Sequence, residues 1–159
     1  MEHVTIKTEI NVYKYEELPE DIRQLADMAM KATDNSYSPY SGFRVGAAVR
    51  LEDGMIVVGA NQENAAFPVA MCAERAAIFN AQSNHPQSAV THIAISARNS
   101  SGFVEEPVSP CGSCRQVILE MEHRYGHKIR IYLCGAKVIY EINGINGLLP
   151  LSFTDESMR

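Results

Sequence analysis

The chain has 159 residues, of which 46% are hydrophobic and 21% are charged, and its formal net charge is -5 at pH 7. That length suffices for an apolar core without disulfides, and we expect residues 1–159 to form a single domain. The negative charge without a basic stripe excludes nucleic acid and membrane surfaces as expected partners and favours a small neutral substrate. No apolar stretch approaches the roughly 18 residues of a membrane helix and no signal segment opens the chain, so we expect a cytoplasmic protein.

The first third of the chain predicts an edge strand, a helix and a hairpin, in that order. Apolar residues alternate loosely over 4–13, which predicts the edge strand. Residues 19–35 begin with acidic side chains and carry one apolar face, as an amphipathic helix does. Residues 44–51 and 55–60 are separated by a turn that contains Asp-Gly, and this pattern predicts a β-hairpin.

The rest of the chain alternates predicted helices with short apolar strands. We expect helices over 72–82 and 113–125 and buried strands over 92–97 and 129–134. This alternation predicts an α/β layer fold. Because the hairpin contributes an antiparallel pair, the sheet cannot be wholly parallel.

Four cysteines in a reducing compartment need an explanation other than disulfides. Cys72 lies at the start of one predicted helix, and Cys111 and Cys114 lie at the start of the next. Helix N-termini stabilise thiolates, which are the form that binds metal ions. Three protein ligands leave the fourth position of a zinc ion open for water, as in catalytic zinc sites. Cys134 ends an apolar strand and is predicted to be a buried, inert side chain.

Two charged residues directly after Cys72 are candidates for the chemistry around such a metal. Glu74 lies in the same helical turn as Cys72, so both side chains can serve one cavity, where Glu74 would move protons. Three thiolates outweigh the charge of one zinc ion and weaken it as a Lewis acid. Arg75 is the best candidate to donate hydrogen bonds to the sulfurs and offset that effect.

Five blocks of the sequence resemble the small cytidine deaminases, a branch of the zinc deaminases. The two cysteine segments carry the zinc deaminase signature, and three further blocks narrow the resemblance to enzymes of free nucleosides. The resemblance covers residues from about 36 to 153 and leaves residues 1–20 as an N-terminal extension. The blocks are Cys72-Ala73-Glu74, Pro110-Cys111-Gly112-Ser113-Cys114, 37–48, 59–64 and 148–153.

The resemblance implies a three-layer α/β/α sandwich with a five-stranded mixed sheet, assembled as a homotetramer with active sites near subunit boundaries. It also implies zinc-dependent hydrolysis of cytidine and deoxycytidine to uridine and deoxyuridine, in nucleoside salvage. The implied zinc ligands are Cys72, Cys111 and Cys114, with Glu74 as the proton shuttle. The implied substrate contacts are Asn61 and Glu63 with the ribose, Phe43 stacked on the pyrimidine, the Ala73 amide on its carbonyl oxygen, and Phe153 from a neighbouring subunit.

Several simpler interpretations stand beside these. The Cys-x-x-Cys pair is also typical of thioredoxin-like redox sites, and Glu74 is also placed to complete a capping box. Asn61 and Glu63 could be turn residues, Phe43 a core residue and Arg75 a solvated one. A structural zinc module would need Cys134 as its fourth ligand.

Within the family, an enzyme for another cytosine nucleoside, such as blasticidin S, is the nearest alternative. The sequence also departs from the family pattern at two positions. Phe67 stands where a tyrosine is usual, which removes a hydroxyl near the ribose, and Gln62 stands where valine is common.

Overall fold

Helices and strands alternate along the chain in the order that the apolar pattern predicts, and the computed structural model describes residues 1–158. No helix in this part of the chain has the length and apolar character needed to cross a membrane. The helices are α1 (Glu20–Ala32), α2 (Ala73–Asn84) and α3 (Gly112–Tyr125). The strands are β1 (Asn11–Tyr13), β2 (Arg44–Leu51), β3 (Ile56–Ala60), β4 (Val90–Asn99), β5 (Gly102–Phe103), β6 (Arg130–Cys134) and β7 (Ile139–Asn143).

All the strands of residues 1–158 belong to one mixed sheet in the order β1-β7-β6-β4-β2-β3, with β5 paired to β4. Strands β4 and β6 are parallel, and the other pairs are antiparallel. The predicted α/β class and the mixed sheet are confirmed. The expected number of five strands is too low, because the sheet has seven.

The structure differs from the predicted elements near the two ends of the chain and at the short strand β5, which pairs with β4. The predicted edge strand over 4–13 is reduced to β1, because only residues 11–13 pair with β7 and residues 1–10 are exposed. Strand β7 was not predicted, since its buried Glu141 interrupts the apolar pattern. The two-residue strand β5 is too short to show a periodicity.

The sheet lies between two helical layers. On one face, apolar side chains of β2, β4 and β6 pack with α2 and α3 into the larger core cluster, which includes Val49, Ile93 and Ile131. On the other face, alternate residues such as Ala48 and Ala94 pack against α1. The three-layer α/β/α arrangement implied by the resemblance is therefore present.

Two glycines on the hairpin allow the helices to approach the sheet closely. A Cβ atom at Gly59 would lie 2.3 Å from the backbone nitrogen of Ala77 and 2.6 Å from the carbonyl oxygen of Ala73, both in α2. On the opposite face, a Cβ atom at Gly46 would lie 2.1 Å from the carbonyl oxygen of Ala29 in α1. Backbone therefore packs on backbone, and the start of α2 has a fixed position above β3.

A buried carboxylate ties the N-terminal strand to the sheet. Glu141 accepts hydrogen bonds at Oε2 from Asn11 Nδ2 and Tyr13 OH, and at Oε1 from Tyr132 OH, each at 3.0 Å. Burial acts to raise the pKa of Glu141, but these donors and the Arg130 guanidinium together hold it below its ordinary value. Residues 11–13 of the N-terminal extension are thus part of the sheet.

Candidate active site

Three cysteine sulfurs meet where α2 and α3 begin. Cys72 is the N-cap of α2, and Cys111 is the N-cap of α3. Cys114 lies inside the first turn of α3 and is fully buried. The Sγ of Cys111 lies 3.7 Å from that of Cys72 and 3.4 Å from that of Cys114. The two helix starts therefore bring all three sulfurs to one point, as their positions in the sequence predict.

The separations of the sulfurs suit a tetrahedral metal ion. With Zn–S bonds of about 2.3 Å, the edge of a tetrahedron is about 3.8 Å long. The three Sγ atoms all lie within 4.8 Å of one another, and theirs is the one such group of ligand atoms among residues 1–158. Cys134 is buried at the end of β6 and does not belong to it, so a closed four-cysteine structural site has no support.

The surroundings of the sulfurs favour the thiolate at Cys72, whereas hydrogen bonding with Cys72 and burial raise the pKa of Cys114. The pKa of Cys72 is lowered to about 5, chiefly by hydrogen bonding with Cys114 and further by Arg75. Arg75 Nη2 lies 3.7 Å from the Cys72 Sγ and 3.4 Å from the carbonyl oxygen of Ala70. Arg75 thus contacts a sulfur, as its predicted role requires.

Glu74 is buried beside the cysteines in a cavity of about 430 Å³, which Cys72, Cys111 and Ala73 also line. Burial raises the pKa of Glu74, and the Cys72 thiolate adds to that effect. A carboxyl group with a raised pKa can both take up and release a proton closer to neutral pH. Helix α2 has no side-chain cap hydrogen bond, so the capping-box interpretation of Glu74 gains no support.

The remaining walls of the cavity are partly apolar and partly polar. Val45 and Ile95 contribute apolar surface, while Asn61 and Glu63 contribute polar groups. Ala73 is the first residue of α2, so its backbone amide has no acceptor within the helix and is available to a ligand. The cavity can thus receive a small, partly polar molecule next to the sulfurs and Glu74.

Asn61 and Glu63 make several side-chain hydrogen bonds within the protein, most of them with the segment around Phe43. Ser36 Oγ also donates to Asn61 Oδ1, at 2.5 Å. Asn61 Oδ1 accepts from Val45 N at 2.8 Å, and Asn61 Nδ2 donates to the Phe43 carbonyl oxygen at 2.9 Å. Glu63 Oε2 accepts from the amides of Tyr40 and Ser41 at 2.8 and 3.2 Å. Glu63 Oε1 accepts from the Ser41 hydroxyl, and this bond is the main reason why the pKa of Glu63 is lowered.

The two phenylalanines of the implied substrate site do not line this cavity in the single chain. Phe43 is half-buried beside it, directly before β2. Phe153 is 61% exposed, and its carbonyl oxygen accepts from Gln116 Nε2 at 3.0 Å. The C-terminal segment that carries Phe153 is thus held against α3, with its ring exposed.

The two positions that depart from the family pattern have clear structural surroundings. Phe67 lines the cavity and packs edge-on against Tyr40, with ring centroids 5.6 Å apart. The Gln62 side chain donates to the carbonyl oxygen of Asn35 at 3.0 Å and so contacts the segment after α1. Sequence reasoning missed the part that Ser41 plays between Glu63 and Phe43, although a hydroxyl side chain in a turn is a signal for such local bonding.

Comparisons with known proteins agree in their result. A family model described as the cytidine and deoxycytidylate deaminase zinc-binding region matches residues 19–125. The cytidine deaminase of Halalkalibacterium halodurans is 38% identical over 139 residues, which make up 87% of this chain and 98% of that protein. The cytidine deaminase of Sporosarcina psychrophila is 40% identical over 138 residues, which make up 87% of this chain and 95% of that protein. The crystal structure of cytidine deaminase from Burkholderia pseudomallei matches with a TM-score of 0.68 at 32% identity, covering 82% of this chain and 97% of that one.

Proposed function

The chain belongs to the cytidine and deoxycytidylate deaminase family, and on that premise we propose that it hydrolyses cytidine and deoxycytidine to uridine and deoxyuridine, releasing ammonia. The observation that carries this proposal is that Cys72, Cys111 and Glu74 share one cavity, with Cys114 buried beneath it. Zinc, when held by the three thiolates, lowers the pKa of a coordinated water so that hydroxide forms near neutral pH.

Glu74 carries the protons of the reaction in this proposal. Its carboxylate takes a proton from the attacking water and delivers it to the ring nitrogen next to C4 of the base. Glu74 then takes the remaining proton from the hydroxyl group on C4 and delivers it to the amino group. The C4–N bond breaks, ammonia leaves and the C4 carbonyl forms. Water and the nucleoside are consumed, and ammonia and the deaminated nucleoside are released.

Other residues hold the substrate. The Ala73 amide donates to the pyrimidine carbonyl oxygen, and Phe43 stacks on the ring. After the hydrogen bonds within the protein, the Asn61 side chain still has one free N–H donor, and the Glu63 carboxylate still has one free acceptor position. These two groups bind the ribose hydroxyls. Arg75 supports the metal site by donating to Cys72.

We further propose that the chain is a single domain that acts in nucleoside salvage in the cytoplasm, as a homotetramer in which Phe153 completes a neighbouring subunit's site. Four free cysteines suit a reducing compartment. The exposed rings of Phe153 and Phe67 suit a contact between subunits.

Removing the residues after Pro150 should raise KM for cytidine and weaken the tetramer, as measured by light scattering. An intact tetramer with unchanged KM would refute the role of Phe153.

The experiment that tests the function is the loss of cytidine absorbance on adding the purified protein, with and without a chelator. We expect turnover that the chelator abolishes and added zinc restores. The variant Glu74→Gln should keep zinc and fold yet lose activity by about 10²–10⁴-fold or more. Glu120→Gln, an exposed substitution on α3, is the control. No turnover by the zinc-loaded wild type would overturn the proposal, and near-normal turnover by Glu74→Gln would overturn the role of that residue.

A further inference from the structure

Ser41 lies between two residues with separate roles in the proposed function. Its hydroxyl donates to Glu63 Oε1 and accepts from the backbone N–H of Phe43, whose nitrogen lies 3.0 Å away. A serine hydroxyl has only one hydrogen to donate. Donation to Glu63 therefore fixes the rotation of the hydroxyl and leaves a lone pair directed at Phe43.

The Phe43 backbone is held from both sides by the proposed sugar ligands. On its carbonyl side, Asn61 Nδ2 donates directly, at 2.9 Å. On its amide side, the connection to Glu63 runs through Ser41. The ribose contacts and the base-stacking ring are thus joined by one continuous set of hydrogen bonds.

We propose that Ser41 is a positioning residue that couples recognition of the sugar by Glu63 to the placement of the Phe43 ring on the base. The inference rests on the proposed function. The bond from Ser41 to Glu63 joins residues 22 positions apart in the chain, and the bond from Ser41 to Phe43 is local. A sugar hydroxyl that binds Glu63 orders the same carboxylate that orders Ser41, so the ring is placed when a complete nucleoside is present. Charge-assisted hydrogen bonds such as that from Ser41 to Glu63 are among the stronger ones in proteins.

The coupling predicts a specific kinetic signature. Ser41→Ala should raise KM for cytidine about tenfold, the effect of losing one hydrogen bond to a charged acceptor, while kcat stays within about threefold because Glu74 and the cysteines are unchanged. Ser41→Thr keeps the hydroxyl and should restore most of the affinity. Ser38→Ala is the matched control. Ser38 lies in the same loop, but the bond that it makes there uses its backbone carbonyl oxygen, which accepts from Gly42 N at 3.0 Å and is kept in the alanine variant.

A double-mutant cycle separates coupling from a general loosening of the loop. If Ser41 acts through Glu63, adding Ser41→Ala to Glu63→Gln should change KM by less than about threefold. If the fold-change in KM of the double variant equals the product of the two single-variant fold-changes, the substitutions act independently and the proposal is overturned. Equal KM for the wild type and Ser41→Ala would also overturn it.

Hydrogen exchange tests the same link without turnover. The Phe43 amide should exchange at least about tenfold faster in Ser41→Ala than in the wild type, and the Val45 amide, which donates to Asn61, should not change. Unchanged exchange at Phe43 would refute the link. The same measurement on Glu63→Gln tests the other half of the link, and the Phe43 amide should exchange faster there too if Glu63 orients the Ser41 hydroxyl. If the wild-type protein deaminates no cytidine, the proposed function fails, and the two exchange measurements together decide whether Ser41 connects Glu63 to Phe43.

Discussion

The backbone nitrogen of Ala77 lies 2.3 Å from the point where a Cβ atom at Gly59 would stand. Gly59→Ala therefore forces α2 away from β3. We expect a loss of about 1–3 kcal/mol in the free energy of unfolding from overpacking, measured by denaturant titration. Because Ala73 also contacts this position, activity should fall as well. Gly112→Ala is the stability control, since its Cβ would meet no atom within 4 Å; equal stability of the two variants would contradict the prediction.

Zinc content tests the cysteine cluster. Cys111→Ala removes the sulfur that lies within 3.7 Å of both partners, and we expect metal analysis to show much less than one zinc per chain. Cys134→Ser alters the one cysteine outside the cluster and should retain a full equivalent. A full equivalent of zinc in Cys111→Ala would exclude that residue as a ligand.

Glu122 should make stability fall as the pH rises above the ordinary pKa of its carboxyl group. Its Oε1 accepts from the amides of Ile129 and Ile145, but burial raises the pKa of Glu122 above 4.5. The folded state therefore binds the proton more tightly than the unfolded state, and stability declines from pH 4.5 until the folded-state pKa is passed.

The variant Glu122→Gln removes the charge and keeps an acceptor for both amides. We expect its free energy of unfolding to exceed that of the wild type at pH 7, with a difference that shrinks toward pH 4.5. Denaturant titrations across this range measure it, with the exposed Glu120→Gln as the control. A difference that does not vary with pH would show that the Glu122 carboxyl group does not titrate in this way.

Tyr13→Phe tests the attachment of the N-terminal strand. It removes one of the donors to Glu141, and a hydrogen bond to a charged group contributes about 1.5–3 kcal/mol. The lowered pKa of Glu141 means that its contribution to stability is present above pH 4.5 and is lost as the pH falls through the folded-state pKa. The destabilisation by Tyr13→Phe should therefore be largest near neutral pH. Val12→Ala, on the exposed side of β1, should change stability by less than about 0.5 kcal/mol.

Free cytosine should be a far poorer substrate than cytidine. Without the ribose, the remaining donor of Asn61 and the remaining acceptor of Glu63 lose their partners, and binding energy from the sugar no longer orients the base. The ratio of kcat/KM for the two compounds measures this effect. Equal values would remove the proposed ribose role from both residues.

The cysteine cluster could be expected from the sequence because its geometry is local. Helix starts are encoded by neighbouring residues, so the sequence predicts Cys72 and Cys111 at the starts of α2 and α3, where they are the N-caps. Two such starts on adjacent helices need only a standard layer packing to bring their thiols together. Glu74 follows from the same argument, since it shares a turn with Cys72.

Contacts between distant segments could not be predicted in this way. The bonds from Asn61 and Glu63 to the loop before β2 depend on how closely the end of β3 approaches that loop, which no local pattern encodes. Strand β7 was missed for a related reason. Glu141 is buried only because β1, β6 and their hydroxyl and amide donors surround it, and an isolated window of sequence shows merely a charged residue between isoleucines.

The close packing of Gly59 on α2 also bears on whether the chain folds before or after it binds the metal. The Cys72 turn is fixed by backbone contact with the sheet, and α3 is anchored by Ile118 in the same core. Small zinc domains, by contrast, gain their folding energy from the metal. Here the polypeptide can complete its core first and take up the ion afterwards. We therefore expect that a chelator leaves a folded apoprotein, which binds zinc again in solution. The zinc supply would then set the active fraction of the protein without unfolding it.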